Sequence, residues 1–488
     1  MLSEFVSTQL SVPSAHSKHS LHRRLYEAMR RALLEGHVAA GDRLPSSRDL
    51  AHDLALSRNT VVAALSQLTV EGYLVSRVGS GTFVSEHLPQ PSRTRRAASA
   101  ATQVARLSAR GEHLSRDYCA SDLEVQPFTP GIADFSAFPL KLWQRLQNKH
   151  WRLSYAEMLD YSTSGGYGPL RRAVADYVRV FRAVQLDAEQ VIITSGTQQS
   201  LELCAHLLAD PGDTVWVEDP AYWGAVKAFM ATGQNLHAVA VDHEGIAPVA
   251  ADDRARPRLI YVTPSHQYPT GAVMSLTRRQ LLLDKARLHQ AWILEDDYDS
   301  EFRYGGPPVS SLEGLDKDER VLYMGTFSKV MYPGIKLGYL VVPKALVEPF
   351  KQAHYDLNRP GQLPVQAALA EFLEQGHFAS TIRKMRQTYA ERRAALLAAL
   401  KPCLSREVFI SGAEQGLHLC VHLPADIDDV AIARAAAQQG ITLRPLSSYC
   451  LARRDVRGLV VGYGYAPLAA IRDTGPKVAA LIARSVRV

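Results

Sequence analysis

Two periods of apolar and polar residues organise the first hundred positions. Leu21, Leu25, Met29 and Leu33 recur every four residues, while Arg23, Arg24, Arg30 and Arg31 fall elsewhere on the wheel, which predicts an amphipathic helix. After a turn around Gly41, Ser46 or Ser47 is placed to cap a second helix carrying Leu50 and Leu54. Ser57 is placed to cap a third with Val61, Leu65 and Leu68, which stops at Gly72. YLVSR (73–77), a VGSG turn and TFVS (82–85) then alternate with a period of two, as a hairpin does. Helix, turn, helix and hairpin predict an α+β winged helix-turn-helix over residues 18–85.

The pattern then lapses and resumes in another form. Residues 86–126 are rich in Ser, Ala and Arg, with Pro89, Pro91 and the adjoining Pro127, and carry no helical period long enough for a domain. They read as a tether. From 127 to 488, helical patterns alternate with short apolar runs: VIITSG (191–196), TVWVEDP (214–220), RLIYVTPS (258–265) and AWILEDDYD (291–299). Apolar strands that end in polar or glycine-rich turns and alternate with helices predict an α/β domain with a mainly parallel sheet. Ligands in such sheets bind at the carboxyl ends of the strands, so the residues there are the candidates for chemistry.

Composition narrows the class. The chain has 488 residues, 47% hydrophobic and 21% charged, with a formal net charge of +6, enough for two or three domains. Its five cysteines are scattered and never form a C-x-x-C pair, which excludes a disulfide scaffold. No metal site is expected. No apolar run reaches the roughly 18 to 20 residues of a membrane span, and MLSEFVSTQLSV has neither a basic nor an apolar leader region, so a cytoplasmic protein without membrane contact is expected. The entire surplus of six positive charges lies in residues 1–110, which suggests a polyanion-binding front joined to a neutral body. Residues 1–85 alone carry only +2, so placement matters more than total.

That placement suits double-stranded DNA. A recognition helix enters the major groove N-terminus first, so Arg58, Asn59 and Thr60 would meet base edges or phosphates. Arg43 and Arg48 flank the preceding turn, and Arg77 with its glycine turn would form the wing. GDRLPSSRDLA followed by LSRNTVVAALSQLTVEGYLVSRVGSGTFV resembles the GntR-type winged helix. The resemblance implies that Arg43, Ser47, Arg48, Arg58 and Thr60 contact operator DNA.

Four strand ends in the body fit one cofactor. SGTQQS opens a helix after a strand and can hold a phosphate on Ser195, Gly196 and Thr197. Tyr222, just past another strand, can stack on a flat heterocycle. Asp296 and Tyr298, two apart, project to one side of an extended segment, where a buried carboxylate could pair with a protonated ring nitrogen and the phenol could hydrogen-bond a ring oxygen. GTFSK ends at Lys329, with Ser328 beside it and Lys336 seven residues on. A lysine held so can form a Schiff base with an aldehyde. Aldehyde, phosphate, ring nitrogen and ring hydroxyl together describe pyridoxal 5′-phosphate.

Residues 130–485 resemble fold-type I aminotransferases, and with the front domain the chain resembles the MocR subfamily of GntR regulators. TSGTQQSLEL, EDPAYWG, TPSHQYPTGAVMS, EDDYDSEFRY and GTFSKVMYPGIKLGY carry the match. The resemblance implies that Lys329 holds the cofactor as an internal aldimine, Asp296 pairs with its ring nitrogen, Tyr298 bonds its phenolic oxygen and Tyr222 stacks on its ring. Ser195, Gly196, Thr197, Ser328 and Lys336 would surround the phosphate, and Tyr161 would reach the site of a partner across a homodimer.

Departures from the pattern shape the expected function. Lys336 stands where the family has an arginine and loses its bidentate fork. Val460 stands where relatives that recognise a carboxylate have an arginine, and Gly224 where GABA-sensing relatives have one, leaving Arg444 as a substitute or a structural residue. Without an evident clamp for an amino donor, a regulator that senses pyridoxal phosphate, or an amine or amino acid, through the Lys329 aldimine is expected ahead of an active aminotransferase carrying a DNA-binding module. A third reading is a DNA-binding protein whose cofactor site is vestigial.

Overall fold

Serine caps and a four-residue apolar stripe build the N-terminal part of the computed structural model, which describes residues 2–11, 20–88, 106–115, 126–153, 156–161, 164–305 and 310–486. Helices α1 (Leu2–Ser11), α2 (Leu21–Leu34), α3 (Ser47–Asp53) and α4 (Arg58–Val70) precede a hairpin of β1 (Leu74–Arg77) and β2 (Gly81–Val84). The stripe of α2 buries Leu25, Met29 and Leu33, whereas Leu21, in its first turn, stays exposed. These residues pack with Leu50, Val61, Leu65 and Leu68, and the hairpin closes the core through the facing pair Leu74 and Val84. Ser57 caps α4 as expected, its hydroxyl accepting from the backbone N–H of Thr60 at 3.2 Å. At α3 the choice between two serines resolves to Ser46, which accepts from the N–H of Asp49 at 3.2 Å and donates to the Asp49 carboxylate at 2.7 Å.

Helix α1 lies ahead of the stretch expected to fold. It buries Val6 and packs Phe5 against His37 with ring centroids 4.0 Å apart and the rings tilted by 31°. Arg31 on α2 donates to Gln9 Oε1 at 2.9 Å, tying α1 to the winged helix.

The chain divides into two units, residues 1–106 and 107–488. The division falls inside the expected tether, whose residues 89–105 and 116–125, with Cys119, lie outside the described residues. Between them sits one short helix, α5 (Ala109–Ser115), which the lapse in the pattern did not predict.

In the second unit a large sheet forms from β3 (Val191–Thr194), β4 (Thr214–Asp219), β5 (Asn235–Asp242), β6 (Gly245–Ile246), β7 (Leu259–Val262), β8 (Trp292–Asp297), β9 (Val321–Thr326) and β10 (Gly338–Val341). Their spatial order is β3-β10-β9-β8-β7-β4-β5-β6. β9, β8, β7, β4 and β5 are parallel neighbours, and β10 runs antiparallel between β3 and β9. Helices cover both faces, so VIIT at the antiparallel end and LIYV in the parallel part are both buried at every position, as strands enclosed on both sides are. The four apolar runs expected as strands are β3, β4, β7 and β8, and their carboxyl ends share one edge of the sheet. A smaller antiparallel sheet follows, from β11 (Phe409–Ser411), β12 (His418–Leu423), β13 (Arg444–Pro445) and β14 (Arg457–Gly462), ordered β11-β12-β14-β13. No described helix is long and apolar enough to cross a membrane.

The Ser57 cap gives a local test. Ser57→Ala is expected to cost about 1 kcal/mol of helix stability, read as roughly fivefold faster amide exchange across α4 with exchange in the large sheet unchanged.

Candidate cofactor and DNA-contact sites

The caps that start α3 and α4 also fix what their first turns present. Arg48, Arg58 and Asn59 are exposed there, free of the core. Ser47 and Thr60 are half-buried, and the Thr60 hydroxyl shares a 2.8 Å hydrogen bond with Ser57. The wing gathers a second pair. Arg77 lays its guanidinium over the Phe83 ring at 5.0 Å, and Arg43 pairs with Phe83 through an isolated β-bridge. A Cβ at Gly81 would come within 2.9 Å of Arg43 Nε, so the glycine makes room for that side chain. A guanidinium stacked by its face keeps its N–H edge available to phosphate.

At the edge of the large sheet, Lys329 follows β9 and Asp296 lies near the end of the neighbouring β8. Lys329 is half-buried and donates from Nζ to the Gly131 carbonyl at 2.5 Å. Burial pushes its pKa down, opposed by the carboxylates of Asp299 and Asp296. Asp296 is buried; its Oδ2 accepts from the Tyr261 hydroxyl at 2.8 Å, and its Oδ1 has no partner among the described residues. Burial pushes the Asp296 carboxyl up to about 7, against the Tyr261 hydrogen bond that favours the charge. A buried acceptor left without a donor fits a protonated ring nitrogen.

Tyr222 and Tyr298 come together through a residue between them. Tyr268 makes near-perpendicular ring contacts with Tyr222 (5.7 Å), Tyr298 (5.9 Å) and Tyr449 (5.6 Å), and packs on His418 at 5.4 Å. Tyr222 folds back over Gly224, where a Cβ would lie 2.4 to 2.5 Å from its ring carbons and hydroxyl. Any side chain at 224 would displace that ring. The Tyr298 hydroxyl oxygen lies 3.1 Å from His266 Nδ1, within hydrogen-bond distance.

The expected phosphate residues divide. Gly196, with φ +100, caps the helix Thr197–Leu208 without a side-chain bond, leaving its first backbone donors available to an anion. Ser195 is exposed, though its own N–H already donates to Gln199 Oε1 at 2.6 Å. Ser195, Gln199, Lys336 and Arg359 line one cavity of about 420 Å³. Ser328 and Thr197 do not line it; the Ser328 N–H donates to the Thr326 hydroxyl at 3.2 Å. Tyr161 is exposed under the Arg359 guanidinium, 5.5 Å from its ring.

Several site residues carried no role in the sequence reading. His266 and Asp299 lie within SHQYP and YDSEF, segments whose position after β7 and at the end of β8 is the available signal. His418 is buried in β12, more than a hundred residues later, and no local pattern links it to the site. His266, Asp299 and His418 are also the one group of potential metal ligands among the described residues, their ligand atoms within 4.8 Å of one another. Val460 is buried in β14 among Cys420, Leu446 and Tyr449, and Arg444 is its direct cross-strand partner. Directly opposed residues of an antiparallel pair share a face, so Arg444 stands beside the position where the arginine was missing.

Comparison with known proteins agrees with both halves. Residues 136–458 match the family model for aminotransferase class I and II, and residues 21–84 that for bacterial regulatory proteins of the gntR family. The chain is similar to the probable rhizopine catabolism regulatory protein MocR of Rhizobium meliloti, at 39% identity over 91% of this chain and 90% of that one. It is also similar to the pyridoxine biosynthesis regulator PdxR of Corynebacterium glutamicum, at 30% identity over 92% and 93%. Among solved structures, the second unit is similar to the multiple substrate aminotransferase of Thermococcus profundus, with a TM-score of 0.69 and 26% identity over 78% of this chain and 98% of that one. It is similar to the α-aminoadipate aminotransferase LysN of Thermus thermophilus as well, with a TM-score of 0.70 and 26% identity over 77% and 97%. The chain therefore belongs to the GntR family of bacterial regulators, in the MocR branch that joins a winged helix-turn-helix to an aminotransferase-like, pyridoxal phosphate domain.

Proposed function

We propose that this protein is a transcriptional regulator that reads operator DNA as a homodimer and senses pyridoxal phosphate, or a small amine or amino acid, at the Lys329 site. The observation that carries the reading is the pairing, in one chain, of exposed arginines on a capped helix-turn-helix with a partly desolvated lysine beside a buried, half-satisfied carboxylate.

Pyridoxal phosphate, when bound, supplies an aldehyde that condenses reversibly with a primary amine. The residues present suit it. Desolvation favours the neutral, nucleophilic amine of Lys329. Asp296 offers its spare oxygen to a ring N–H, Tyr222 offers a flat face, and Tyr298 a hydroxyl. Gly196 at the helix start and the Lys336 ammonium favour an anion.

Turnover asks for more than binding: the amino donor must be held in geometry fit for proton transfer at its α-carbon. Gly224 leaves no room for a clamp while Tyr222 keeps its place, and Val460 is an apolar core residue. A sensor needs only different affinities in two conformations, so these losses favour sensing over transamination.

Arg58→Ala and Arg77→Ala are each expected to weaken binding to DNA fragments captured by the wild type by roughly ten- to hundredfold, measured by fluorescence anisotropy at fixed salt. Wild type mixed with pyridoxal phosphate is expected to show a visible band that Lys329→Ala lacks. A panel of amino donors with a keto acid is expected to give no sustained turnover, and product formation at enzyme-like rates would instead support the aminotransferase reading. A last outcome concerns pH. Asp296 is held at about 7 in the fold against roughly 3.9 in an unfolded chain, so its contribution is fully present below about 4 and lost as pH rises through 7. In cofactor-free protein, wild type should therefore lose stability relative to Asp296→Asn between pH 4 and 8, by up to about 4 kcal/mol. Paired thermal unfolding series check this, and a constant difference would contradict it.

A further inference from the structure

The site contains a hydrogen-bonded chain that none of these roles uses. His266, in the loop after β7, and Asp299, just past β8, are each 1% exposed. His266 Nδ1 lies 3.0 and 3.2 Å from the two Asp299 oxygens and 3.1 Å from the Tyr298 hydroxyl. Backbone boxes the imidazole in. A Cβ at Gly416 would fall 2.0 Å from its Cε1, and one at Gly271 would fall 3.0 Å from its Nε2. The ring therefore has one place to sit.

Counting protons fixes what the chain can do. A buried carboxylate is an acceptor and requires a donor, and the imidazole N–H is the side-chain donor that reaches Asp299. With its proton on Nδ1, His266 has no lone pair there to accept from Tyr298. The phenol oxygen then faces Nδ1–H as an acceptor, and its own hydrogen must point away from His266. Tyr298 thereby becomes a donor toward whatever occupies the neighbouring space. His418 completes the surroundings with its ring 4.9 Å from His266. Its Nε2 donates to the Pro269 carbonyl at 3.1 Å, and burial holds it well below the usual imidazole range, so it adds no charge. The titratable groups that face the chain are thus Asp299 itself and, across the site, Asp296, Lys329 and Glu218, whose carboxyl burial pushes up to about 7.

We propose that His266 and Asp299 are positioning residues for Tyr298, holding its hydroxyl as a hydrogen-bond donor toward an anionic ring oxygen of the ligand in the Lys329 site. The pair thereby sets the pH at which the ligand's chromophore takes up a proton. The proposal rests on the pyridoxal phosphate reading given above, and makes the short SHQ segment part of the sensor's tuning rather than of its core.

The test uses full-length protein loaded with pyridoxal phosphate, with the visible band followed as a function of pH. An anionic oxygen that loses a donated hydrogen bond holds a proton more tightly. Tyr298→Phe is therefore expected to raise the midpoint by about one pH unit. His266→Phe should raise it in the same direction, and the double variant should go no higher than Tyr298→Phe alone, because the two act through one hydrogen bond. Asp299→Asn keeps the shape of the carboxyl group, carries the same expectation, and decides the matter should His266→Phe fail to fold. A wild-type midpoint in His266→Phe or Asp299→Asn, or additive shifts in the double variant, overturns the proposal while leaving the cofactor in place. A wild-type protein that shows no visible band with pyridoxal phosphate overturns the cofactor reading and this proposal together.

Discussion

Asp296 has been taken out of water with one of its two oxygens unmatched, and the second unit is organised around that cost. An unpaired buried carboxylate is penalised by several kcal/mol, and here the penalty shows as a pKa displaced to about 7. Everything that makes the position tolerable comes from neighbouring strands of one sheet. Tyr261 on β7 supplies the hydrogen bond, Lys329 after β9 supplies the facing cation, and the parallel register of β7, β8 and β9 brings the three to one edge. The carboxylate stays half-satisfied until a cationic N–H reaches it. That unmet demand selects for a protonated heterocycle and links occupancy of the site to the energy of the fold.

The two positions expected to grip an amino donor are filled differently in this body. Tyr222 occupies the space above Gly224, and Val460 is bound into an apolar cluster with Cys420, Leu446 and Tyr449. Both positions are used for packing. Arg444, opposite Val460 in register, is the cation that the small sheet brings nearest to that place in the strand pattern. On the function proposed here, residues suited to an aldehyde, a ring nitrogen and a phosphate are kept while the two expected clamp positions serve packing, which favours reversible occupancy over turnover.

Much of this was legible in the sequence because local physics wrote it. Ser57 before RNTVV is a cap signal, VIIT and LIYV are strands buried on both faces, and Asp296, Tyr298 and Lys329 lie at or just past the carboxyl ends of β8 and β9. Helix α1 was missed although Leu2, Phe5, Val6 and Leu10 have helical spacing; its packing on α2 is a tertiary contact that a ten-residue segment cannot announce alone. Leu21 fits the stripe but lies in the first turn of α2, where it stays exposed. The choice between Ser46 and Ser47 needed backbone geometry. His418 was hidden for a different reason: it reaches the site from the second sheet, and neither period nor motif records such a distant meeting. The roles proposed for His266 and Asp299 rest on the direction of a ring nitrogen, which sequence does not encode locally.

The central claim is that one chain couples an aminotransferase-like site to a DNA reader. The most direct measurement is the affinity of the full-length protein for DNA fragments it captures, with and without saturating pyridoxal phosphate, in wild type and in Lys329→Ala. The expected result is a wild-type affinity that changes on adding pyridoxal phosphate and a Lys329→Ala affinity that does not. Equal wild-type affinities in the presence and absence of the cofactor, or an identical response in Lys329→Ala, would contradict the coupling.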